Sequence, residues 1–288
     1  MVLTRAARQD IADRLRAAGC VFAEDEAALL AASAHSAEAL ERSIQCRMAG
    51  QPLEHILGFV IFCGFKIAVG SGVFVPRQRT EFLVQLAVKF ADAADTARRL
   101  VGVDVTSRDH LGQGVNTQPH GPKVVDLCCG CGGVGAVIAQ LCPVELYATD
   151  IAQAAVECAL VNIGPPLGQV LRGDLFEALP LRLRGQVDVL VANAPYVPTE
   201  AIASMPAEAR LFEPALALDG GGDGLDVHRR IIRRAPEWLA NGGVLLIETS
   251  IGQAAVASDL MTRAGLHPEI LSSDEFFATV VVGSWSAG

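Results

Sequence analysis

From Lys123 to the C-terminus the sequence alternates short apolar runs with segments of helical period, and few folds satisfy that alternation. Residues 124–127 and 145–150 are β-branched or apolar runs too short for helices, and so are 170–175, 187–192, 243–249 and 277–283. Between them, Val134, Val137, Ile138 and Leu141 share one helical face within 130–141. Segments 154–161, 231–239 and 254–264 also read as helices. Runs that are apolar throughout belong in strands covered on both faces, so the pattern predicts a doubly wound, mostly parallel α/β sheet. In such sheets ligands gather at the carboxyl ends of the strands.

Four of those ends carry chemistry. The run 187–192 finishes in Asn193-Ala194-Pro195-Tyr196, a polar amide and an aromatic ring on a Pro turn. The first strand finishes in Asp126-Leu127-Cys128-Cys129-Gly130-Cys131-Gly132. There Gly130 and Gly132 permit a tight turn that brings backbone N–H groups to a ligand at a helix start. Asp150 ends the next strand about 20 residues further on, where an acid binds ribose hydroxyls. Asp174 ends the third strand, placed to take an adenine amino group while Leu175 packs on the ring. This nucleoside-binding pattern fits both NAD and S-adenosylmethionine. A third glycine for a pyrophosphate is missing, and the carboxylate of Asp126 would repel one, whereas it tolerates the ammonium of a methionine tail. As a plain alternative, each acid is a helix cap or a solvated turn.

Residues 4–50 read as helices. Ile11, Leu15 and Ala18 share a face of the first, Ala27, Leu29, Leu30 and Ala31 lie on the second, and Ser36 caps a third that carries Leu40 and Ile44 and stops at Gly50. This part offers packing or partner recognition rather than chemistry. Residues 51–58 lead as a connector, His55 included, into a short β-hairpin that contains Phe62 to Val69. Pro76 then ends an extended stretch, and Thr80 is placed to cap a helix with Leu83, Leu86, Ala87 and Phe90. Residues 102–122, rich in Gly, Asp, Ser, Asn, Gln and Pro, read as a loop and a candidate lid.

Composition removes other classes. The 288 residues carry a net charge of −9 and no Lys/Arg run, so no direct nucleic-acid binding is expected. The N-terminus has no signal-peptide core, and no apolar stretch reaches the roughly 18 residues of a membrane span. The eight cysteines sit mostly in apolar segments and read as reduced thiols of a cytoplasmic protein. Cys128, Cys129 and Cys131 lack a second CxxC and a nearby His, so no metal is expected there.

Asp126…Gly130-Cys131-Gly132, Asp150, Gly173-Asp174-Leu175-Phe176 and Asn193-Ala194-Pro195-Tyr196 together resemble the class I S-adenosylmethionine-dependent methyltransferases. More narrowly, the chain resembles the protein-(glutamine-N5) methyltransferases that modify peptide chain release factors. Pro52-Leu53-Glu54-His55-Ile56-Leu57-Gly58, Val75-Pro76-Arg77-Gln78-Arg79-Thr80-Glu81, Phe212-Glu213-Pro214 and Asp219-Gly220-Gly221-Gly222-Asp223-Gly224-Leu225 support the narrower match. The resemblance implies a Rossmann-like fold with a seven-stranded mostly parallel sheet. It also implies a small helical domain over 1–58, a β-hairpin connector over 59–78 and the catalytic domain over 79–288. The implied cofactor is S-adenosylmethionine, and the implied partner is a protein substrate such as a release factor. Asn193, Ala194, Pro195 and Tyr196 would be catalytic. Asp126, Cys128, Cys129, Gly130, Cys131, Gly132, Asp150, Asp174, Leu175 and Asn193 would hold the cofactor.

Two positions depart from the family. Ala194 stands where the first Pro of Asn-Pro-Pro-Tyr is usual, and Cys128 where Gly is usual, a fit only if its backbone needs no positive φ. The competing readings are methylation of adenine N6 or another amino group on a nucleic acid or small molecule, an NAD-dependent oxidoreductase, and a binding protein that kept the fold without activity. The acidic charge, the missing third glycine and the intact Asn193, Pro195 and Tyr196 oppose them in turn.

Overall fold

The computed structural model describes residues 4–105 and 121–287. The chain begins with α1 (Arg5–Ala17), α2 (Ala23–Ser33) and α3 (Ala37–Met48). Ser36 Oγ accepts the Ala39 N–H at 3.1 Å and so caps α3. Ile11, Leu15, Ala27, Leu30, Leu40 and Ile44 form a core of their own, closed below by Leu53, Ile56 and Leu57 of α4 (Leu53–Leu57). The stretch expected as a plain connector is thus this short helix, which ends at Gly58 in the left-handed region. His55 sits on α4, where its Nε2 donates to the Val73 carbonyl at 2.8 Å.

β1 (Phe59–Phe62) and β2 (Phe65–Ala68) pair antiparallel as the hairpin. α5 (Thr80–Val105) is longer than expected and takes in the first residues of the anticipated loop 102–122. Five Ala and three Leu favour a helix here, and the single Gly102 costs only about 1 kcal/mol inside one. Residues 106–120 of the candidate lid lie outside the described residues.

The sheet contains β3 (Lys123–Leu127), β4 (Glu145–Asp150), β5 (Gly168–Arg172), β6 (Val187–Ala192), β7 (Leu239–Thr249), β8 (His267–Ser273) and β9 (Ala278–Ser284) in the order β5-β4-β3-β6-β7-β9-β8. The first five are parallel, and β9 lies antiparallel between β7 and β8, so β8 runs in the direction of the first five. The chain winds outward from β3 to β5 and returns to lay β6 against the other side of β3. That reversal opens a crevice at the carboxyl ends of β3 and β6.

Period-two alternation fills both faces. Val124, Val189, Val191, Val244 and Leu246 pack with α5, α6 (Gly133–Leu141) and the hairpin. Val125, Leu190, Leu245 and Ile247 pack with α9 (Asp226–Arg234) and α10 (Ile251–Arg263) on the opposite side. α7 (Gln153–Asn162) packs on β4 and β5. α8 (Ala207–Phe212) precedes α9 on the crevice side. The helix expected at 231–239 spans Asp226–Arg234 instead. Pro236 cannot continue a helix, and the chain is already extended at Leu239. No described helix is long and apolar enough to cross a membrane.

Candidate active site

The β3 end turns back on the β4 end. Cys129 N–H donates to the Thr149 carbonyl at 3.0 Å, and Gly130 N–H donates to Asp150 Oδ2 at 2.9 Å. The other oxygen of Asp150 accepts the Ala152 N–H at 2.9 Å. Gly130 has φ +55°, and a Cβ there would meet no atom within 4 Å, so the turn is bare backbone facing open space. Gly132, with φ +77°, is bare for another reason: a Cβ would come within 2.8 Å of Ile163 on the α7 side.

Cys128 occupies the left-handed region at φ +57°. The condition under which a side chain would fit here without strain therefore fails. Burial pushes the thiols of Cys128 and Cys129 up and that of Cys131 up to about 12, so all three stay protonated. All eight cysteines are free, and among the described residues no three His, Cys, Asp or Glu side chains converge as metal ligands would.

Asp126 is 2% exposed, and its Oδ2 accepts the Gly135 N–H at 2.9 Å in the first turn of α6. Burial raises its pKa to about 7. Asp174 lies one turn past β5, where its Oδ2 pairs with Arg230 Nη2 of α9 at 2.6 Å. Leu175 beside it is buried at φ +53° on a short 3-10 turn, so β5 ends before the two residues read as its tip.

At the β6 end, Asn193 Nδ2 donates to Thr80 Oγ1 at 3.2 Å. Thr80 is the first residue of α5 rather than its cap, and it is 1% exposed. Behind it lies Glu248 of β7, whose side chain is 2% exposed. Arg79 Nε and the Tyr196 hydroxyl both donate to Glu248 Oε1 at 3.3 Å. Gln253 Nε2 holds the Tyr196 carbonyl at 2.9 Å, and His228 stacks on the Tyr196 ring with centroids 6.3 Å apart. His228 is fully buried, which lowers its pKa to about 4 and keeps the ring neutral.

The far wall comes from two stretches. Gly72, Val73, Phe74, Pro76, Arg77 and Arg79 form one side, and Met205, Pro214, Leu216, Ala217 and Leu218 form the other. Glu213 joins them: its buried carboxylate accepts the Val75 N–H at 3.1 Å and Arg77 Nη2 at 2.6 Å.

One continuous cavity is bordered by Asp126, Cys128, Cys129, Gly130, Cys131, Asp150, Asp174, Leu175 and the whole of Asn193-Ala194-Pro195-Tyr196. Of the residues singled out from the sequence, Gly132 alone stays off its surface, packed on α7. Sequence reasoning gave no place in the site to Thr80, Arg79, Glu248 and Arg230. Glu248 had a usable signal, since it lies at the carboxyl end of a buried strand, the last residue but one, as Asn193 lies just past another.

Comparison with known proteins gives a consistent set. A family model described as "Methyltransferase small domain" matches residues 102–225. The release factor glutamine methyltransferase of Geobacter sulfurreducens is 32% identical over 240 residues, which cover 82% of this chain and 74% of that protein. The enzyme of the same name from Streptomyces coelicolor is 32% identical over 237 residues, covering 80% of this chain and 76% of that one. The 4-amino-L-phenylalanine/4-methylamino-L-phenylalanine methyltransferase of Streptomyces pristinaespiralis is 32% identical over 223 residues, covering 77% and 69%.

Proposed function

The chain belongs to the release factor glutamine methyltransferase family, and from that premise we propose that it transfers a methyl group from S-adenosylmethionine to the side-chain amide nitrogen of a glutamine in a peptide chain release factor. The observation that carries the reading is the position of Asn193-Ala194-Pro195-Tyr196. It borders the same cavity as the Gly130 turn and Asp150, at the crevice between β3 and β6.

The residues present fit the cofactor. The bare Gly130 turn leaves room for a ligand against backbone, and Asp150 keeps lone pairs for two ribose hydroxyls beyond its bonds to Gly130 and Ala152. Ile151 and Leu175 border the cavity as apolar flanks for an adenine, and Asp126 offers a carboxylate to an ammonium. Asp174 reaches an adenine amino group only if it shares its oxygens with Arg230. The cofactor, when bound, supplies an electrophilic methyl group on a sulfonium.

The protein's task is to make an amide nitrogen nucleophilic, because its lone pair is delocalised into the carbonyl. Asn193 Oδ1 and the Ala194 carbonyl accept the two amide hydrogens and aim the nitrogen at the methyl group. Ala194 supplies that carbonyl as a proline would, and Pro195 biases it toward extended backbone. Tyr196 packs against the flat amide. Orientation of this kind provides most of the rate. Neither ring beside the site is a useful base: burial keeps the Tyr196 phenol protonated and lowers the His228 pKa to about 4, which makes its imidazole a weak proton acceptor. The methylated nitrogen is acidic enough to release its proton afterwards.

On this reading residues 1–58 recognise the protein substrate, 59–78 connect, 79–288 catalyse, and the protein works in the cytoplasm. The test is incubation with S-adenosylmethionine and a purified release factor, followed by peptide mass spectrometry, with free 4-amino-L-phenylalanine as the competing acceptor. One methyl group on one glutamine is expected. Methylation of the free amino acid alone would overturn the substrate assignment.

A further inference from the structure

Past Ala192 the chain leaves the sheet, and Asn193-Ala194-Pro195-Tyr196 belongs to no helix or strand. Among the described residues, the backbone of these four makes one hydrogen bond: Gln253 Nε2, in the first turn of α10, donates to the Tyr196 carbonyl at 2.9 Å. We propose that Gln253 is a positioning residue for methyl transfer, which sets the Ala194 carbonyl and the Tyr196 ring by clamping this segment at its far end. The inference rests on the roles given to Ala194 and Tyr196 above.

Backbone groups settle which way the Gln253 amide points. Nε2 lies 2.9 Å from the Tyr196 carbonyl and 2.9 Å from the Asp223 carbonyl, and a carbonyl only accepts. At the other end Oε1 accepts the Ser250 hydroxyl at 2.6 Å and faces the Ser250 N–H at 3.4 Å, and a backbone N–H only donates. Turning the amide over would set an oxygen against two carbonyls and an NH2 group against an N–H. Both Nε2 hydrogens are thus committed. One side chain ties the Tyr196 backbone to the glycine loop at Asp223 and anchors both to the start of α10.

The joint is close on its other side as well. Gly224 stands at φ +78°, and a Cβ there would collide with both the Tyr196 carbonyl and Gln253 Nε2. Just beyond, the Val197 N–H donates to the Leu218 carbonyl at 3.0 Å and the Thr199 N–H to the Gly221 carbonyl at 2.9 Å, so the same loop carries the chain onward. Between Tyr196 and Ala194 stands only Pro195, whose φ is fixed. A shift at the Tyr196 carbonyl therefore passes along a stiff link to the Ala194 carbonyl. Misplacing a reacting group by about 1 Å costs up to about a hundredfold in rate.

Two variants open the joint from its two sides. Gln253→Met keeps the length and removes both donors. Gly224→Ala leaves Gln253 and its anchor on α10 in place and pushes the Tyr196 carbonyl away, so it serves where Gln253→Met does not fold. In each, amide hydrogen exchange at Val197 and Thr199 should run roughly tenfold faster, with the turn at Cys129 and Gly130 unchanged, a comparison that needs no substrate. Single-turnover transfer to a release factor, with both substrates saturating, should fall roughly tenfold per folded molecule while S-adenosylmethionine affinity stays within about twofold. A residue that only supports the fold would lower the melting temperature and leave the rate per folded molecule at the wild-type value. Exchange at the wild-type rate in a folded variant, transfer at the wild-type rate, or a loss confined to S-adenosylmethionine affinity overturns the proposal. If wild-type protein transfers nothing to the release factor, the substrate assignment fails, and the exchange comparison still decides whether Gln253 holds the segment.

Discussion

The carboxylate of Asp150 accepts the backbone N–H of Gly130 at 2.9 Å, so the acid that ends β4 also shapes the turn that ends β3. Asp150→Ala should therefore weaken S-adenosylmethionine binding by about 1–3 kcal/mol, through stranded ribose hydroxyls and a loosened turn together. Asp150→Asn keeps an oxygen for Gly130 and should retain part of the affinity. Calorimetry on both variants separates the two contributions, and an unchanged Asp150→Ala affinity would reduce Asp150 to a turn residue.

Asn193→Ala should leave cofactor affinity and melting temperature close to wild type and cut methyl transfer by a factor of about 100 or more, as losing an orienting acceptor at a reacting centre does. Ala194→Pro keeps the carbonyl and should stay active. Full turnover by a folded Asn193→Ala protein would remove the amide-orienting role.

Asp126 gives cofactor binding a pH dependence with a definite sign. Its pKa of about 7 in the free protein leaves it largely protonated at pH 6. An ammonium beside it favours the ionised form and lowers that pKa, so binding expels a proton. Affinity should rise with pH up to about 7, a range in which an α-amino group is still mostly charged. Calorimetry at pH 6 in buffers of different ionisation enthalpy counts the proton, and Asp126→Asn should abolish the release.

Cys128 at φ +57° carries a side chain where glycine is at ease. Cys128→Gly should fold at least as stably as wild type. Cys128→Val should lose about 2 kcal/mol, because a β-branched residue suits the left-handed region worst. Thermal unfolding ranks the three; a Cys128→Val protein as stable as wild type would mean the turn relaxes freely.

The parallel sheet was legible because its strands are covered on both faces and read as apolar runs. β8 was not: it is an edge strand, mostly exposed, and His267-Pro268-Glu269 gives neither an apolar run nor alternation. The helix at 226 was hidden in part because its first turn is charged. In the site, residues that end strands or form glycine turns could be found from position alone. Thr80 and Glu248 could not be connected, since 168 positions separate them in sequence and only the packing of α5 on β7 brings them together. In the wall from Met205 to Leu218 only Phe212-Glu213-Pro214 stood out, as a mark of the family, and nothing in the composition of the stretch marked it as part of a cavity.

Glu213 gives the entrance a mechanical character. One carboxylate with no exposed side-chain surface holds the stretch around Val75 and Arg77 to the loop that follows α8. Prising the two apart would leave a buried charge without its partners, which is strongly unfavourable. The two stretches that wall the cavity are thus stapled to each other as the chain folds, by a single side chain that does not itself line it.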